Sequence, residues 1–532
     1  MSDEFDYVIV GAGSAGCVLA DRLSADGTTT VCVLEAGGKD DKVNIRTPML
    51  LQFTITDPSI NWDYWTEPQK HLNDRALYWP RGKTIGGSSS INAMHYMRGA
   101  LENYDSWRDD YGCEGWSGET ALEAFKRVEN NEDHGAPFHG QGGPLNVKTI
   151  RPLNPLTEMY FEACRRRQIP ENPDHNGERQ EGFGVYQVTQ KGGKRCSAAD
   201  AFLKPAMQRP NLTVVTGALC HRVLLENGRA RGVRIEADGA QTDVIARKEV
   251  ILSGGALNSP HLLMLSGVGP ADHLREHGIS VEHDLPGVGA NMQDHLDIMA
   301  RARTSKPTSV GYSLRKFPAT ARDVLQWVFT GSGAFTVNPV QGCGFVKSSV
   351  AGDLPDLQLV FIPALASPHG RETLTGHGIS LHICHLYPRS RGRLTLKSAD
   401  PRDHIVIDPN YLDHEQDVTA MTDALELARD IVLSDAFSGE FKALELPAET
   451  DGSRAALEAD MRARAETLYH PTSTCAMGSG ELAVTDPQCR VRGVDNLRVV
   501  DASVMPAVPG GNTNAPTIMV ATRAADMILA SQ

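Results

Sequence analysis

The chain has 532 residues, 41% hydrophobic and 22% charged, which is enough apolar material for a sizeable core and too much for wholesale disorder. Acidic residues outnumber Lys and Arg by 66 to 52, and the formal charge of −14 argues against nucleic acid as a partner, because a phosphate backbone calls for clustered cations. Apolar runs such as 31–34 and 262–265 are far too short to span a bilayer, so no transmembrane helix is expected. The first residues, Met1-Ser2-Asp3-Glu4, are acidic where a secretory leader is basic, and the ten scattered cysteines form no CxxC pair. Reduced thiols in a cytoplasm are the expectation, with neither a zinc ribbon nor a disulfide framework.

In chain order, the β-branched run Asp6-Tyr7-Val8-Ile9-Val10 predicts a buried parallel strand. Gly11-Ala12-Gly13-Ser14-Ala15-Gly16 follows directly, then an amphipathic helix over 17–23, then a second strand over 30–34 that ends in Glu35. This is a GxGxxG fingerprint in the context it requires. Gly11 permits the tight turn, Gly13 lets backbone approach a pyrophosphate, and Gly16 lets helix and strand pack closely. Glu35 can accept hydrogen bonds from a ribose diol and would repel a 2′-phosphate. The fingerprint predicts a dinucleotide but does not separate FAD from NAD.

A second glycine loop, Arg81-Gly82-Lys83-Thr84-Ile85-Gly86-Gly87-Ser88-Ser89-Ser90-Ile91-Asn92, is flanked by Leu77, Tyr78 and Trp79 before it and Met94, Tyr96 and Met97 after it. Those neighbours predict a buried loop whose backbone can approach a flat or charged ligand. A third segment, 255–269, follows the apolar strand 250–252 and reads as another strand-to-helix turn of the same sheet.

These stretches resemble the glucose–methanol–choline (GMC) family of oxidoreductases, as do 195–203 (RCSAADAFL), 287–295 (GVGANMQDH), 388–394 (PRSRGRL) and 501–517 (DASVMPAVPGGNTNAPT). The resemblance implies FAD, and an α/β chain, α+β overall, with two discontinuous parts. One is a Rossmann-like FAD-binding domain over 1–155, 195–300 and 468–532. The other is a substrate domain over 156–194 and 301–467, built on a largely antiparallel sheet. Runs 357–361, 379–386 and 393–397 are expected to supply that sheet, with a helix over 418–433 packed on it.

By the same resemblance, Gly11, Gly13, Ser14, Ala15, Gly16, Glu35 and Ala36 are expected to contact the cofactor. Arg81, Gly86, Gly87, Ser88, Asn92, Ala93, Met94 and Val223 join them, as do Asp501, Ala502, Asn512, Thr513 and Asn514. Some members carry a His after the serines of the second loop that bonds covalently to FAD; here Ile91 stands there, so the FAD is expected to be non-covalent.

His470 and Asn514 fall on the family's catalytic pair, and the chemistry fits them. Alcohol oxidation removes a hydroxyl proton, which a neutral imidazole can take, while an amide can hold the substrate oxygen. Asn514 also stands where a helix cap belongs. The C-terminal helix, 517–529, is expected to aim the positive end of its dipole at the flavin's pyrimidine edge. Tyr469 resembles the aromatic residue that choline-oxidising members use against a quaternary ammonium, yet equally suits an apolar pocket.

The expected reaction is therefore oxidation of a primary alcohol to its aldehyde, with an uncharged alcohol ranked ahead of choline and with oxygen, a quinone or a dye as acceptor. A non-redox lyase that retains FAD and a light-driven decarboxylase are the alternatives. His382-Ile383-Cys384-His385 is not expected to bind metal, because a strand turns His385 away from the other two. The amphipathic stretch 321–329 reads as a pocket wall, or else a peripheral contact with the inner membrane.

Overall fold

A computed structural model describes residues 4–311, 313, 316–372, 374–447 and 452–531. Its first sheet grows from the N-terminal fingerprint. The strand Glu4–Val10 pairs in parallel with Val31–Glu35 on one side and with the far end of Ala240–Leu252 on the other. Leu212–Thr216 extends the sheet beyond Val31–Glu35, and Leu497–Val499 pairs with Val250, Ile251 and Leu252, so the C-terminal region closes back onto the first strand's neighbourhood. The other half of the long strand Ala240–Leu252 turns outward into an antiparallel meander with Arg229–Ala237 and Leu219–Glu226.

The parallel strands are sealed on both faces, as their unbroken runs of Val, Ile and Leu require. The helix Ser14–Leu23 covers one face beside the C-terminal helix Asn514–Ala530, with Arg22 paired to Asp526 at 2.7 Å. Gly16 makes the close packing of that first helix obligatory: a Cβ there would lie 1.9 Å from the Gly11 carbonyl oxygen. The helix Gly255–Leu265 follows the strand Ala240–Leu252, where the sequence placed a strand-to-helix turn.

The second sheet is antiparallel throughout, in the order Phe441–Leu446, Leu296–Thr304, His377–His385, Leu357–Ile362, Gly342–Val346 and Gly182–Val185. The helix Glu415–Val432 packs against its Leu296–Thr304 and His377–His385 strands. Two of the three expected strands are present, while Arg393–Thr395 pairs instead with Val406–Asp408 in a separate ribbon. A boundary between residues 300 and 301 would cut the strand Leu296–Thr304, because its leading residues already pair with this sheet. The ten cysteines are free thiols, and no helix among the described residues is long and apolar enough to cross a membrane.

Candidate active site

One cavity of about 1030 Å³ runs between the C-terminal ends of the parallel strands and the face of the antiparallel sheet. Its first end is built by the fingerprint. Gly11 adopts φ +102°, and a Cβ there would lie 2.5 Å from the Ser253 carbonyl oxygen, so only glycine closes this turn. Gly13 faces the cavity instead, and Gly87 of the second loop comes so near that its Cβ would lie 2.7 Å from the Gly13 Cα. Two glycine loops thus meet edge to edge and present backbone to a long ligand. Glu35 is buried at the end of its strand, where its carboxylate accepts from the N–H groups of Ala12 (2.9 Å) and Gly37 (2.8 Å). Burial outweighs those bonds and lifts its pKa to about 7. A carboxylate has further lone pairs, so these two bonds leave room for a ribose hydroxyl.

Most of the expected contact residues line this cavity. Ser14, Ala15 and Ala36 do so beside Gly11, Gly13 and Glu35, and Arg81, Gly87, Ser88, Asn92 and Ala93 do so from the second loop. Asp501, Ala502, Asn512, Thr513 and Asn514 complete the wall. Four expected contacts fall elsewhere for structural reasons. Gly16 packs against Gly11, Gly86 turns with φ +84° and donates its N–H to Ala12, and Met94 is buried in an apolar cluster with Tyr186 and Val340. Val223 lies within its strand and donates its N–H to Ser266 Oγ at 2.8 Å, while Ala218, Leu219 and Cys220 line the cavity there. Asp501 serves structure as well. One carboxylate oxygen accepts from Gly255 N–H and Ser259 Oγ, and the other from Ser503, which ties the start of the helix Gly255–Leu265 to the segment after Asp501.

His470 also lines the cavity, on a loop fixed from several directions. Its backbone N–H donates to Asp294 Oδ1 at 2.7 Å, and Asp294 Oδ2 accepts from Thr467 Oγ1 and the Tyr411 hydroxyl. Tyr469 is held at φ +70° while its carbonyl accepts from Arg81 Nη2 at 2.6 Å, a strained conformation that these contacts over-determine. The His470 ring is 7% exposed, and burial together with nearby His295 and Arg81 holds its pKa well below the usual range. The lowered pKa keeps it a neutral imidazole, the state a proton acceptor needs.

Its amide partner is not the expected one. Asn512 Nδ2 lies 3.1 Å from His470 Nε2, whereas the Asn514 side chain turns away and accepts from Ser14 Oγ at 2.7 Å. Asn514 is the first residue of the helix, and no side-chain cap bond is made at the preceding Thr513. The reason is geometric. The bend at Gly510–Gly511, where Gly511 N–H donates to the Pro509 carbonyl, delivers Asn512 to the His470 loop, and the helix that begins at Asn514 carries that residue toward the fingerprint helix.

Several lining residues carried no sequence signal of a site. Asp297 Oδ2 pairs with His382 Nδ1 at 2.6 Å, leaving Asp297 Oδ1 and His382 Nε2 buried without hydrogen bonds. Glu466 binds Arg75 (2.6 Å) and His369 (2.8 Å), and His369 also meets the Tyr469 hydroxyl at 2.7 Å. His95 stacks on Tyr186 with centroids 3.8 Å apart. Each residue reaches the cavity through pairings between segments distant in sequence. Leu51, Val340, Ile362 and Leu468 add apolar lining from one hydrophobic cluster.

Within 382–385, His385 turns toward Asp417, His382 meets Asp297 and Cys384 meets Gln358. Elsewhere, His134, His139 and Asp174 bring possible ligand atoms within 4.8 Å of one another. Both His139 nitrogens are already engaged, by Glu129 and Asp174, and Glu129 pairs with buried Arg98, so this cluster is an ion-pair network. The stretch 321–329 lies in the helix Phe317–Thr330, whose Thr320 and Asp323 line the cavity while Phe317, Leu325, Val328 and Phe329 are exposed.

Comparison with known proteins agrees with this architecture. GMC oxidoreductase family models match residues 5–297 and 388–521. The chain is 46% identical over 528 residues to an alcohol dehydrogenase [acceptor] of Pseudomonas putida, covering 99% of this chain and 96% of the relative. It is 40% identical over 536 residues to an oxygen-dependent choline dehydrogenase of Photobacterium profundum, covering 99% and 94%. The structure of formate oxidase from Aspergillus oryzae, studied for its FAD modification, superposes with a TM-score of 0.93 at 26% identity, covering 99% and 98%. The glycine cradle, the buried Glu35 and the long cavity fit FAD, the cofactor of this class. Two glycine loops meeting over a parallel sheet, and a histidine facing them across one cavity, are thus the local form of a resemblance that spans the chain, which belongs to the GMC oxidoreductase family, enzymes that act on CH–OH donors.

Proposed function

We propose that this protein oxidises an uncharged primary alcohol to its aldehyde, with His470 as proton acceptor and Asn512 as the amide that holds the substrate oxygen. The observation that carries the reading is the 3.1 Å approach of Asn512 Nδ2 to Nε2 of a buried His470, whose pKa burial holds well below the usual range. A hydroxyl that replaces this direct contact donates its proton to Nε2 and accepts from the amide, which places one acceptor and one donor on the same oxygen. Bound FAD supplies the acceptor for the hydride that leaves the alcohol carbon. Gly11, Gly13 and Ser14 of the first loop, with Gly87, Ser88 and Asn92 of the second, would hold that cofactor. The helix beginning at Asn514 opens onto the cavity through Thr513, Asn514 and Thr517, so its N-terminal partial charge favours negative charge there.

The substrate end supports an alkyl alcohol. Leu51, Val340, Ile362 and Leu468 form an apolar wall, and the nearby carboxylates of Glu466 and Asp297 already face Arg75, His369 and His382. A quaternary ammonium would meet carboxylates already partnered by these groups, with Asp297 Oδ1 alone among their oxygens left without a hydrogen bond. The Tyr469 hydroxyl is likewise engaged by His369.

Purified protein supplied with an artificial electron acceptor and a series of primary alkanols is expected to release aldehyde, with alkanols preferred to choline. A preference for choline would overturn the substrate assignment, and absence of aldehyde with every alcohol would overturn the reaction.

A further inference from the structure

His470 has two ring nitrogens, and only one of its neutral tautomers can act as the proposed base. The tautomer is fixed by a hydrogen-bond chain that starts some distance away. His295 is fully buried, and its Nε2 lies 3.0 Å from the backbone carbonyl oxygen of Leu386. A carbonyl can only accept, so His295 Nε2 carries a proton. In a neutral ring His295 Nδ1 is then a bare acceptor. Burial pushes the pKa of His295 down to about 3, which keeps the ring neutral. His295 Nδ1 lies 2.9 Å from His470 Nδ1, with the two rings nearly perpendicular at 87°. That contact is a hydrogen bond only if His470 Nδ1 carries the proton, which leaves His470 Nε2 bare.

The other end of the chain gives the same answer independently. Asn512 Oδ1 accepts from Gln358 Nε2 at 3.2 Å, which orients the amide so that its Nδ2 donates toward His470 Nε2 at 3.1 Å. A donor there requires an unprotonated Nε2.

We infer that His295 is a positioning residue: its bare Nδ1, set by the Leu386 carbonyl, fixes the proton of His470 on Nδ1 and leaves Nε2 an acceptor, which serves Asn512 here and the substrate hydroxyl when alcohol binds. His295 touches neither the alcohol nor the cofactor in this scheme. When His470 Nε2 gains a proton, the existing Nδ1–H bond to His295 stabilises the resulting imidazolium. The neighbouring Asp294 holds the backbone N–H of His470, so adjacent residues of one segment fix both the main chain and the ring of the base.

The inference rests on the alcohol-oxidation reading for its kinetic consequence but not for its spectroscopic one. The test uses FAD-loaded wild type, His295→Leu, which has no acceptor, and His295→Asn, whose side-chain oxygen can replace Nδ1. Ring nitrogen NMR of histidine-labelled protein, assigned with His470→Ala, is expected to report His470 protonated at Nδ1 in wild type and His295→Asn. A proton partly or wholly on Nε2 is expected in His295→Leu. Anaerobic flavin reduction at saturating alcohol should fall ~10–100-fold in His295→Leu, the range seen when an orienting partner is lost. The apparent affinity for alcohol and the FAD content should hold, and His295→Asn should recover most of the rate.

Wild-type His470 protonated at Nε2 would overturn the inference by itself, even if neither variant folds. Equal loss in both variants would also overturn it, as would an unchanged rate and tautomer in His295→Leu. If no alcohol reduces the wild-type flavin, the reaction proposed above fails, while the NMR result still decides the role of His295.

Discussion

Replacing Asn512 with Leu removes an amide of similar size while leaving His470 and its His295 contact in place. Two magnitudes compete for the outcome. An ordinary neutral hydrogen bond is worth ~1 kcal/mol, or about fivefold in rate. A preorganised donor aimed at an oxygen that gains negative charge in a water-excluded site is worth ~3 kcal/mol, or about 10²-fold. The structure favours the larger figure. Asn512 Oδ1 is pinned by Gln358, which is itself buried and bonded to the Tyr186 hydroxyl at 3.0 Å, so the amide needs no reorganisation as the proton leaves. Asn514→Leu provides the internal comparison. It removes only the acceptor of Ser14 Oγ, a contact worth ~1 kcal/mol, and should change the rate a few-fold. Both variants would be mixed anaerobically with a good primary alcohol while flavin absorbance is followed in stopped flow. A fall of about 10²-fold for Asn512→Leu and a few-fold for Asn514→Leu is expected. The reverse ranking would refute the assignment of Asn512 and restore the pairing expected from sequence.

Because burial and nearby charge hold the pKa of His470 well below 6.5, its neutral form persists as pH falls through the ordinary histidine range. The limiting rate of flavin reduction should thus stay flat from about pH 8 to below pH 6.5, and a half-maximal loss near pH 6.5 would contradict it. Acid precipitation should release all the yellow colour into the supernatant, since Ile91 offers no nucleophile to the cofactor. Colour retained in the pellet would reveal a covalent link. Gly16→Ala should yield protein with little or no FAD, because its Cβ would meet the Gly11 carbonyl oxygen at 1.9 Å and force helix and strand apart. Stoichiometric FAD in that variant would show that the turn tolerates the shift.

The sequence carried the cofactor end well because that end depends on local rules. A strand, a glycine turn, a helix and an acidic residue within about thirty-five positions have one common physical solution, and the structure has it. The substrate end was less legible because its contacts join distant segments. Asp297 and His382 meet only through antiparallel register, and His369 reaches Tyr469 across a long separation. His295 lay inside a family-like stretch, but nothing local says that its ring faces His470 rather than the core. The Asn512 and Asn514 alternatives show the same limit at close range. Two asparagines separated by one residue have different fates because one precedes the helix and the other begins it, a boundary that sequence places only approximately. At Val223 the strand places Ala218, Leu219 and Cys220 in the cavity lining, a register that the local sequence does not reveal.

The most direct test of the central claim is anaerobic mixing of the FAD-loaded protein and its His470→Ala variant with a panel of primary alcohols. Alkanols are expected to bleach the wild-type flavin, and the variant to keep its FAD but be reduced slower by orders of magnitude. Bleaching by no alcohol would contradict the proposed reaction, and near-normal reduction of the variant would remove His470 from it.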